Sequence, residues 1–384
     1  MMFIPFHVPT IGKKEINAVL KALKAGWIST GPTSFRFEQL VCEYLGANYA
    51  VALNSGTAGL HLALVAAGIK PGDEVIVPAY TFTSTAAVVV HCGAKPVLVD
   101  VDKERMLILP QDIERKITKK TKAIIPVHLA GHPYPMQEVN GIAQRYHLAV
   151  IDDAAHAFGS EYHGKKIGAF EKMAMFSFHS TKPISTGEGG MITTSNKSIA
   201  DRIRRLSLHG LSSGAWKRYR KEGSWYYQVL EAGYKYNLPD IPAALGIAQL
   251  QQAARWQKIR ERYATLYTSG LKGLAAIETP TVASAMKSSW HLYIIKLQLE
   301  QSRITRNQFI ELLREKGIGT SVHFIPLHHH PYYQHIWKYK LSDFPNANWA
   351  YDRVISLPIY PAMKQNQVEY IIDAITKITN KYER

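Results

Sequence analysis

The stretch YAVALNSGTAGLHLALVAAGIKPGDEVIVP, residues 49–78, decides the fold. YAVALN (49–54) is an apolar run of strand length, TAGLHLALVAAG (57–68) reads as a buried helix, and DEVIVP (73–78) reads as a second strand. The same rhythm continues through helix-like STAAVVVHCG (84–93) and strand-like KPVLVDV (95–101), AIIPVHL (123–129), LAVIDD (148–153), MAMFSF (173–178) and GGMITT (189–194). Seven short apolar runs alternating with helical segments predict an α/β architecture with one large, mostly parallel sheet.

Upstream, residues 15–25 (EINAVLKALKA) and 35–45 carry the spacing of amphipathic helices, joined by an exposed turn from Trp27 to Pro32. After residue 195 the texture changes to charged helices, a Tyr/Trp-rich basic stretch at 216–236 and a long helix expected over 241–266. SSWHLYIIKL (288–297) alternates like a strand and ITRNQFIELLREKG (304–317) like a helix, which predicts a smaller α+β unit. The expected division is therefore a large unit over 1–250 and a small one over 251–384.

Composition narrows the class. The chain has 384 residues with 46% hydrophobic and 20% charged side chains, ordinary globular usage that excludes a disordered or fibrous protein. Its 46 basic against 30 acidic residues give +16, which favours an anionic partner without choosing among phosphate compounds, nucleic acid and membrane. Two cysteines, Cys42 and Cys92, exclude a disulfide scaffold and fit a reducing compartment. The apolar start of the chain lacks a basic n-region, and no apolar run reaches the roughly 18 residues of a membrane span, so a soluble, cytoplasmic protein is expected.

In open α/β sheets ligands bind beyond the carboxyl ends of the strands. The first end carries Asn54-Ser55-Gly56-Thr57-Ala58, which suits either a phosphate at a helix N-terminus or simply an N-cap. The second carries Tyr80, Thr81 and Phe82. The fifth delivers Asp153 and His156, and the sixth Ser177 and then Lys182. A buried strand-end carboxylate wants a cation, so Asp153 and Lys182 read either as an ion pair or as the acid and amine that pyridoxal phosphate uses. Gly187-Glu188-Gly189-Gly190 precedes a strand and lacks a complete GxGxxG, which disfavours a dinucleotide site and leaves a hairpin turn. His323 and the run His328-His329-His330 have no carboxylate or cysteine at ligand spacing, so no metal is expected there. Arg202, Arg204, Arg205, Lys217, Arg218, Arg220 and Lys221 form the densest basic cluster, a diphosphate contact or a solvated face.

Read in order, GWISTGP (26–32), NSGTAGLHLAL (54–64), PAYTFTST (78–85), GAKPVLVDVD (93–102), PVHLAGHP (126–133), IDDAAHAFGS (151–160), FSFHSTKPISTGEGGMITT (176–194), GYKYNLPDIPAALGIAQL (233–250), WHLYII (290–295), GIGTSVHFIPLH (317–328) and SLPIYP (356–361) resemble the sugar-nucleotide aminotransferases of the DegT/StrS type. The resemblance runs nearly end to end and implies the fold type I architecture of pyridoxal-phosphate enzymes. It implies pyridoxal 5′-phosphate as cofactor, with Lys182 bonded to its aldehyde and Asp153 facing its ring nitrogen. Phe82 would stack on the ring, His156 would lie near the phenolic oxygen where many relatives have Gln, and Thr57, Ala58 and Ser177 would hold the phosphate. The resemblance further implies a homodimer with shared sites, in which the GYKYN segment crosses to the partner. Lys235 and Asn237 depart there from the commoner Asn and Arg. Trp27, Thr30 and His323 are the implied substrate contacts.

The implied reaction moves an amino group from glutamate to a nucleotide-linked keto sugar, and the GYKYN form is most similar to the subgroup acting on UDP-4-keto pentoses. Lys182 stands where the related deoxygenating branch carries His, which favours transamination over that alternative. A second alternative, a non-catalytic DNA-binding regulator on the same fold, lacks a helix-turn-helix, zinc finger or basic arm, so neither nucleic acid nor membrane is expected as a partner.

Overall fold

Residues 49–78 form β1 (Tyr49–Leu53), α3 (Gly56–Ala66) and β2 (Glu74–Pro78) in a computed structural model that describes residues 3–212 and 226–384. Two helices precede them, α1 (Lys13–Lys24) and α2 (Pro32–Leu45), and α4 (Ser84–His91) and β3 (Lys95–Val99) follow. The large unit continues through α5 (Pro110–Lys116), β4 (Thr121–Ile124), α6 (Met136–Arg145), β5 (Ala149–Val150) and β6 (Asp152–Asp153). A small hairpin, β7 (Glu161–Tyr162) and β8 (Lys165–Lys166), leads to β9 (Ala174–Ser177), β10 (Gly190–Thr194) and α7 (Lys197–Leu206).

The ladders run β3-β2-β4-β5 and β6-β9-β10-β1. β5 and β6 are halves of one strand interrupted at Ile151, and Val127 bridges to Asp153, so the two ladders form one twisted sheet of the seven strands that the alternation predicts. β2 pairs in parallel with β3 and β4, and β6 with β9; β10 runs antiparallel to both β9 and β1. Burial on both faces explains why these strands read as continuous apolar runs, as in Val75, Ile76 and Val77, each fully buried.

α8 (Asp240–Leu250) packs back on α1 and α2 of the large unit, and the second unit, the rest of the chain, holds α9 (Ala253–Leu271), β11 (Ile277–Glu278), β12 (Met286–Lys287), β13 (Tyr293–Leu297), α10 (Arg306–Glu315), α11 (Pro331–Trp337), α12 (Pro345–Tyr351), β14 (Val354–Leu357) and α13 (Gln365–Tyr382). β11, β13 and β14 form an antiparallel sheet whose side chains build a separate apolar cluster with α9, α10 and α13. Ile4 belongs to that cluster, held by its hydrogen bonds with Gly317 and Gly319, so the start of the chain packs on its far end.

Two expectations need correction. The single helix expected over 241–266 is two helices, broken at Gln251–Gln252, because α8 packs on α1 and α2 whereas α9 packs on α13. The strand expected over 288–297 begins only at Tyr293. Trp290 sits at φ +49°, and Ser289 hydrogen-bonds to Ser160 and to the His156 carbonyl rather than to a sheet neighbour.

Candidate active site

The carboxyl ends of β1, β2, β6 and β9 open onto one cavity of about 440 Å³. Thr57, Phe82, Asp153, His156, Ser177 and Lys182 line it from the large unit. His323, Phe324 and Ile359 close it from the other side, and Phe6 and His7 come from the N-terminal segment.

Strand alternation sends neighbouring Asp152 and Asp153 to opposite faces of the sheet. Asp153 reaches the cavity and is 5% exposed. Its Oδ2 accepts from Thr85 Oγ1 at 2.9 Å and its Oδ1 from the Ala155 N–H at 3.2 Å; Thr85 Oγ1 lies 2.9 Å from Thr81 Oγ1. Burial pushes the Asp153 carboxyl above the usual carboxylate range, and the Thr85 hydroxyl, the Ala155 N–H and the Lys182 ammonium pull it back. Asp152, on the other face, accepts from Tyr134 Oη at 2.8 Å.

Lys182 rides the loop that joins β9 to β10. Phe178 N–H to Gly189 and Thr186 N–H to Phe178 close the neck of this loop, so Gly187–Gly190 end the connection of an antiparallel β9–β10 hairpin whose loop is broad and pinned, not a tight turn. Arg260, buried in α9, donates to the Pro183 carbonyl at 2.9 Å and fixes the loop beside Lys182. Burial lowers the Lys182 amine to about 8 against the upward pull of Asp153. Among the described residues no ion pair within 4.0 Å joins the two, so they share a cavity with space between them.

The N-terminus of α3 points its first turn at the same cavity. Ser55 caps it, its Oγ accepting from the Ala58 N–H at 3.0 Å. The Ala58 N–H is engaged by this cap, and Gly56 and Thr57 of the same first turn line the cavity. Gly190 lets β10 pass this turn, since a Cβ there would lie 2.4 Å from the Ser55 carbonyl. Phe82 is 55% exposed at the cavity edge, its ring 5.9 Å from that of Phe324.

Imidazoles crowd the remaining wall. His156 Nδ1 accepts the Ala130 N–H at 3.2 Å, which leaves its proton on Nε2. His291 Nε2 is 3.4 Å from Lys182 Nζ, and its ring centroid is 4.4 Å from that of His156. His323 Nδ1 is 2.9 Å from Ser356 Oγ, and His7 Nε2–H donates to the Ser180 carbonyl at 3.0 Å. Burial holds His156 and His291 well below the ordinary histidine range and lowers His7 and His323 to about 4, so all four are neutral near pH 7.

Trp27, Thr30, Lys235 and Asn237 do not line this cavity. Trp27 Nε1 donates to the Thr30 carbonyl, Asn237 Nδ2 to Thr30 Oγ1, and Thr30 Oγ1 to the Leu238 carbonyl. They form a separate knot with the start of α2, where the Asp240 carboxylate accepts from the N–H groups of Gly31, Thr33 and Ser34 and from Ser34 Oγ. Lys235 lies at the rim, its carbonyl accepting from Asn54 Nδ2, and Asn237 is held in the knot. The basic cluster is also changed. Arg202 and Arg205 pair with Glu231, and Arg204 grips Glu38 at 2.8 and 3.0 Å, while Lys217, Arg218, Arg220 and Lys221 lie outside the described residues. His328 and His329 both bond Asn348 Oδ1, a packing role, and among the described residues no cluster of His, Cys, Asp or Glu is arranged to hold a metal.

Sequence reasoning missed Thr85, His7 and His291. Thr85 and His291 lay inside quoted motifs, and a lone polar residue in an apolar run was the available signal for His291. His7 offered none, since only the pairing of Ile4 with Ile318 carries it to the site.

A family model described as the DegT/DnrJ/EryC1/StrS aminotransferase family matches residues 9–376. The chain belongs to that family. It is 52% identical to the uncharacterized protein MJ1066 of Methanocaldococcus jannaschii, covering 99% of this chain and 98% of that one. It is 45% identical to the spore coat polysaccharide biosynthesis protein SpsC of Bacillus subtilis, covering 98% and 97%. Among solved structures, Spr1654 of Streptococcus pneumoniae in its PLP form superposes with a TM-score of 0.92 at 32% identity, over 99% of each chain. The fold is thus that of the fold type I aminotransferases, as the sequence motifs imply. Among the described residues no helix is long and apolar enough to cross a membrane.

Proposed function

We propose that this chain is a pyridoxal 5′-phosphate-dependent aminotransferase that moves an amino group from glutamate to a nucleotide-linked keto sugar, with a UDP-4-keto sugar as the expected acceptor. The observation that carries the reading is one cavity that brings together a buried carboxylate, a half-buried amine with a lowered pKa and the start of a helix. These groups fit the cofactor. The carboxylate of Asp153 has hydrogen-bond donors but no cation in ion-pair contact among the described residues, the amine of Lys182 is poised to lose its proton, and the first-turn N–H groups of α3 suit a phosphate. The carbon skeleton of the ring would meet Phe82.

When bound, the cofactor supplies an electron sink for the carbanion left at the substrate's α-carbon. The chain supplies the rest. Asp153 would keep the ring nitrogen protonated, and Thr85 favours the ionised form of Asp153 by bonding it. Lys182 would hold the cofactor's aldehyde, and its Nζ, whose pKa burial lowers to about 8, would take and return the substrate proton. His156, with its proton fixed on Nε2, would donate to the phenolic oxygen. Thr57, Ala58 and Ser177 would hold the phosphate together with the Gly56 N–H at the capped start of α3.

His323 faces the substrate side of the cavity, Trp27 and Thr30 are the other expected substrate contacts, and the GYKYN segment with Lys235 and Asn237 is expected to cross toward the cofactor phosphate of a partner subunit. A homodimer with shared sites is the assembly that membership of this aminotransferase family implies. Retention of Lys182 supports transamination over deoxygenation, and the name of SpsC supports a product destined for a surface polysaccharide. The testing experiment is mass spectrometry of products from UDP-, dTDP- and GDP-linked keto sugars incubated with glutamate. An amino sugar from the UDP-4-keto substrate is expected; a deoxy sugar, or amination of a 3-keto dTDP sugar alone, would overturn it.

A further inference from the structure

Lys182 Nζ has one hydrogen-bond contact among the described residues, to His291 Nε2 at 3.4 Å. His291 is 7% exposed, stands just before β13, and packs its ring on His156. We infer that His291 is a positioning residue that holds the Lys182 amine by accepting one of its N–H bonds, and that this contact strengthens when Nζ takes the substrate's proton. The inference rests on the aminotransferase reading and adds to it a residue to which nothing in the fold or the motifs assigns a part.

The physical case has three steps. An amine that must act as a base needs its lone pair aimed at the reacting carbon, and an acceptor on one of its N–H bonds fixes that direction. The acceptor must not itself become charged. Burial and the positive groups around it, Lys182 first among them, keep the His291 imidazole neutral, so Nε2 stays available to accept. When Nζ becomes an ammonium, the same contact becomes a charge-assisted hydrogen bond, about twice as strong as a neutral one. An interaction that grows along the reaction raises the rate of the proton transfer rather than the affinity for substrate. The part gained along the reaction, about half the net worth of one charge-assisted bond, corresponds to roughly 3- to 10-fold in rate.

The titratable groups facing Lys182 are Asp153 from β6, His156 from the loop after it, His291, His323 from the second unit and His7 from the N-terminal segment; His179 and Glu188 line the same cavity from the lysine's own loop. Of these, His291 alone is within hydrogen-bond distance of Nζ among the described residues.

Two variants separate positioning from packing. H291F fills the ring's volume without an acceptor, and H291Q places an amide oxygen near the Nε2 position. Rapid mixing of each full-length holoenzyme with glutamate, followed by the cofactor's absorbance, gives a limiting rate and a half-saturating concentration. H291F is expected to lower the limiting rate about 3- to 10-fold with half-saturation within about twofold, and H291Q to recover to within about 1.5-fold of the parent. A second readout needs no turnover: competitive acetylation of the cofactor-free chain across pH, mapped by mass spectrometry, gives the pKa of the Lys182 amine. Losing the acceptor destabilises the ammonium, so this pKa falls below its parent value by about one unit in H291F and returns in H291Q. If H291F does not fold, H291N, whose amide reaches the Nδ1 position instead, is expected to behave as H291F should.

H291F with the parent's rate and amine pKa, or H291Q as impaired as H291F in both, overturns the inference. A parent that holds cofactor but reacts with no amino donor removes the aminotransferase reading and the inference with it. That failure shows in the parent, whereas failure of the inference alone shows only in the variants.

Discussion

Thr85→Val tests how the site keeps its acid ionised. Thr85 is fully buried and its hydroxyl bonds Asp153 Oδ2 at 2.9 Å, and valine matches its shape without the hydroxyl. A hydrogen bond to a charged acceptor contributes roughly 1.5–3 kcal/mol, and 1.36 kcal/mol is one pKa unit, so the Asp153 carboxyl should rise by about 1–2 units above its already raised position. The direction follows from the charge: removing a donor to the carboxylate disfavours the ionised form, so the acidic limb of the kcat/KM profile moves to higher pH. Below that limb the ring nitrogen loses its anionic partner, so at pH values below the parent's own acidic limb the rate should fall about 10- to 100-fold, while the rate well above both limbs changes little. Thr85→Ser restores the hydroxyl and should restore the profile, which separates the hydrogen bond from any packing change. An acidic limb that stays put in the valine variant, or that shifts equally in the serine variant, would refute the reasoning.

Three further outcomes follow from other parts of the structure. Gly190→Ala places a Cβ 2.4 Å from the Ser55 carbonyl and must push back the first turn of α3, so cofactor affinity measured by fluorescence titration should drop at least about tenfold while the fold survives. Asp240→Ala strips a buried carboxylate from three backbone N–H groups and the Ser34 hydroxyl, and urea unfolding should show a loss of about 3–5 kcal/mol. His132 and His328 are buried and lowered to about 4, against 6.5 in the unfolded chain. As pH falls from 6.5 toward 4 the unfolded state binds protons that the folded state refuses, so stability is complete above 6.5 and declines below it, by at most about 1.4 kcal/mol per pH unit per histidine. His132→Phe should flatten that decline in urea midpoints taken at pH 7 and 5.5.

Fold and site were legible in the sequence to different depths. The strands announced themselves because each is buried on both faces and bounded by Gly, Pro or Asp, so periodicity and punctuation agreed at 49–53, 74–78 and 95–99. The break at Gln251–Gln252 had no local sign, since glutamine is a good helix former and the chain bends there only because its packing partners change. Asp153 and Lys182 could be placed at strand ends, and so at one cavity, from topology alone. The knot of Trp27, Thr30, Asn237 and Asp240 could not, because it depends on contacts more than 200 residues apart in sequence, such as Gly31 to Asp240. The histidine wall escaped for the same reason, being assembled from the N-terminal segment, the loop after β6 and the second unit.

Sodium borohydride reduction of the purified holoenzyme, followed by proteolysis and mass spectrometry, interrogates the covalent attachment itself. The account predicts a single reduced pyridoxyl phosphate adduct on the peptide containing Lys182, absent from Lys182→Ala. An adduct on any other lysine, or a parent protein that carries no adduct although it aminates a sugar, would contradict it.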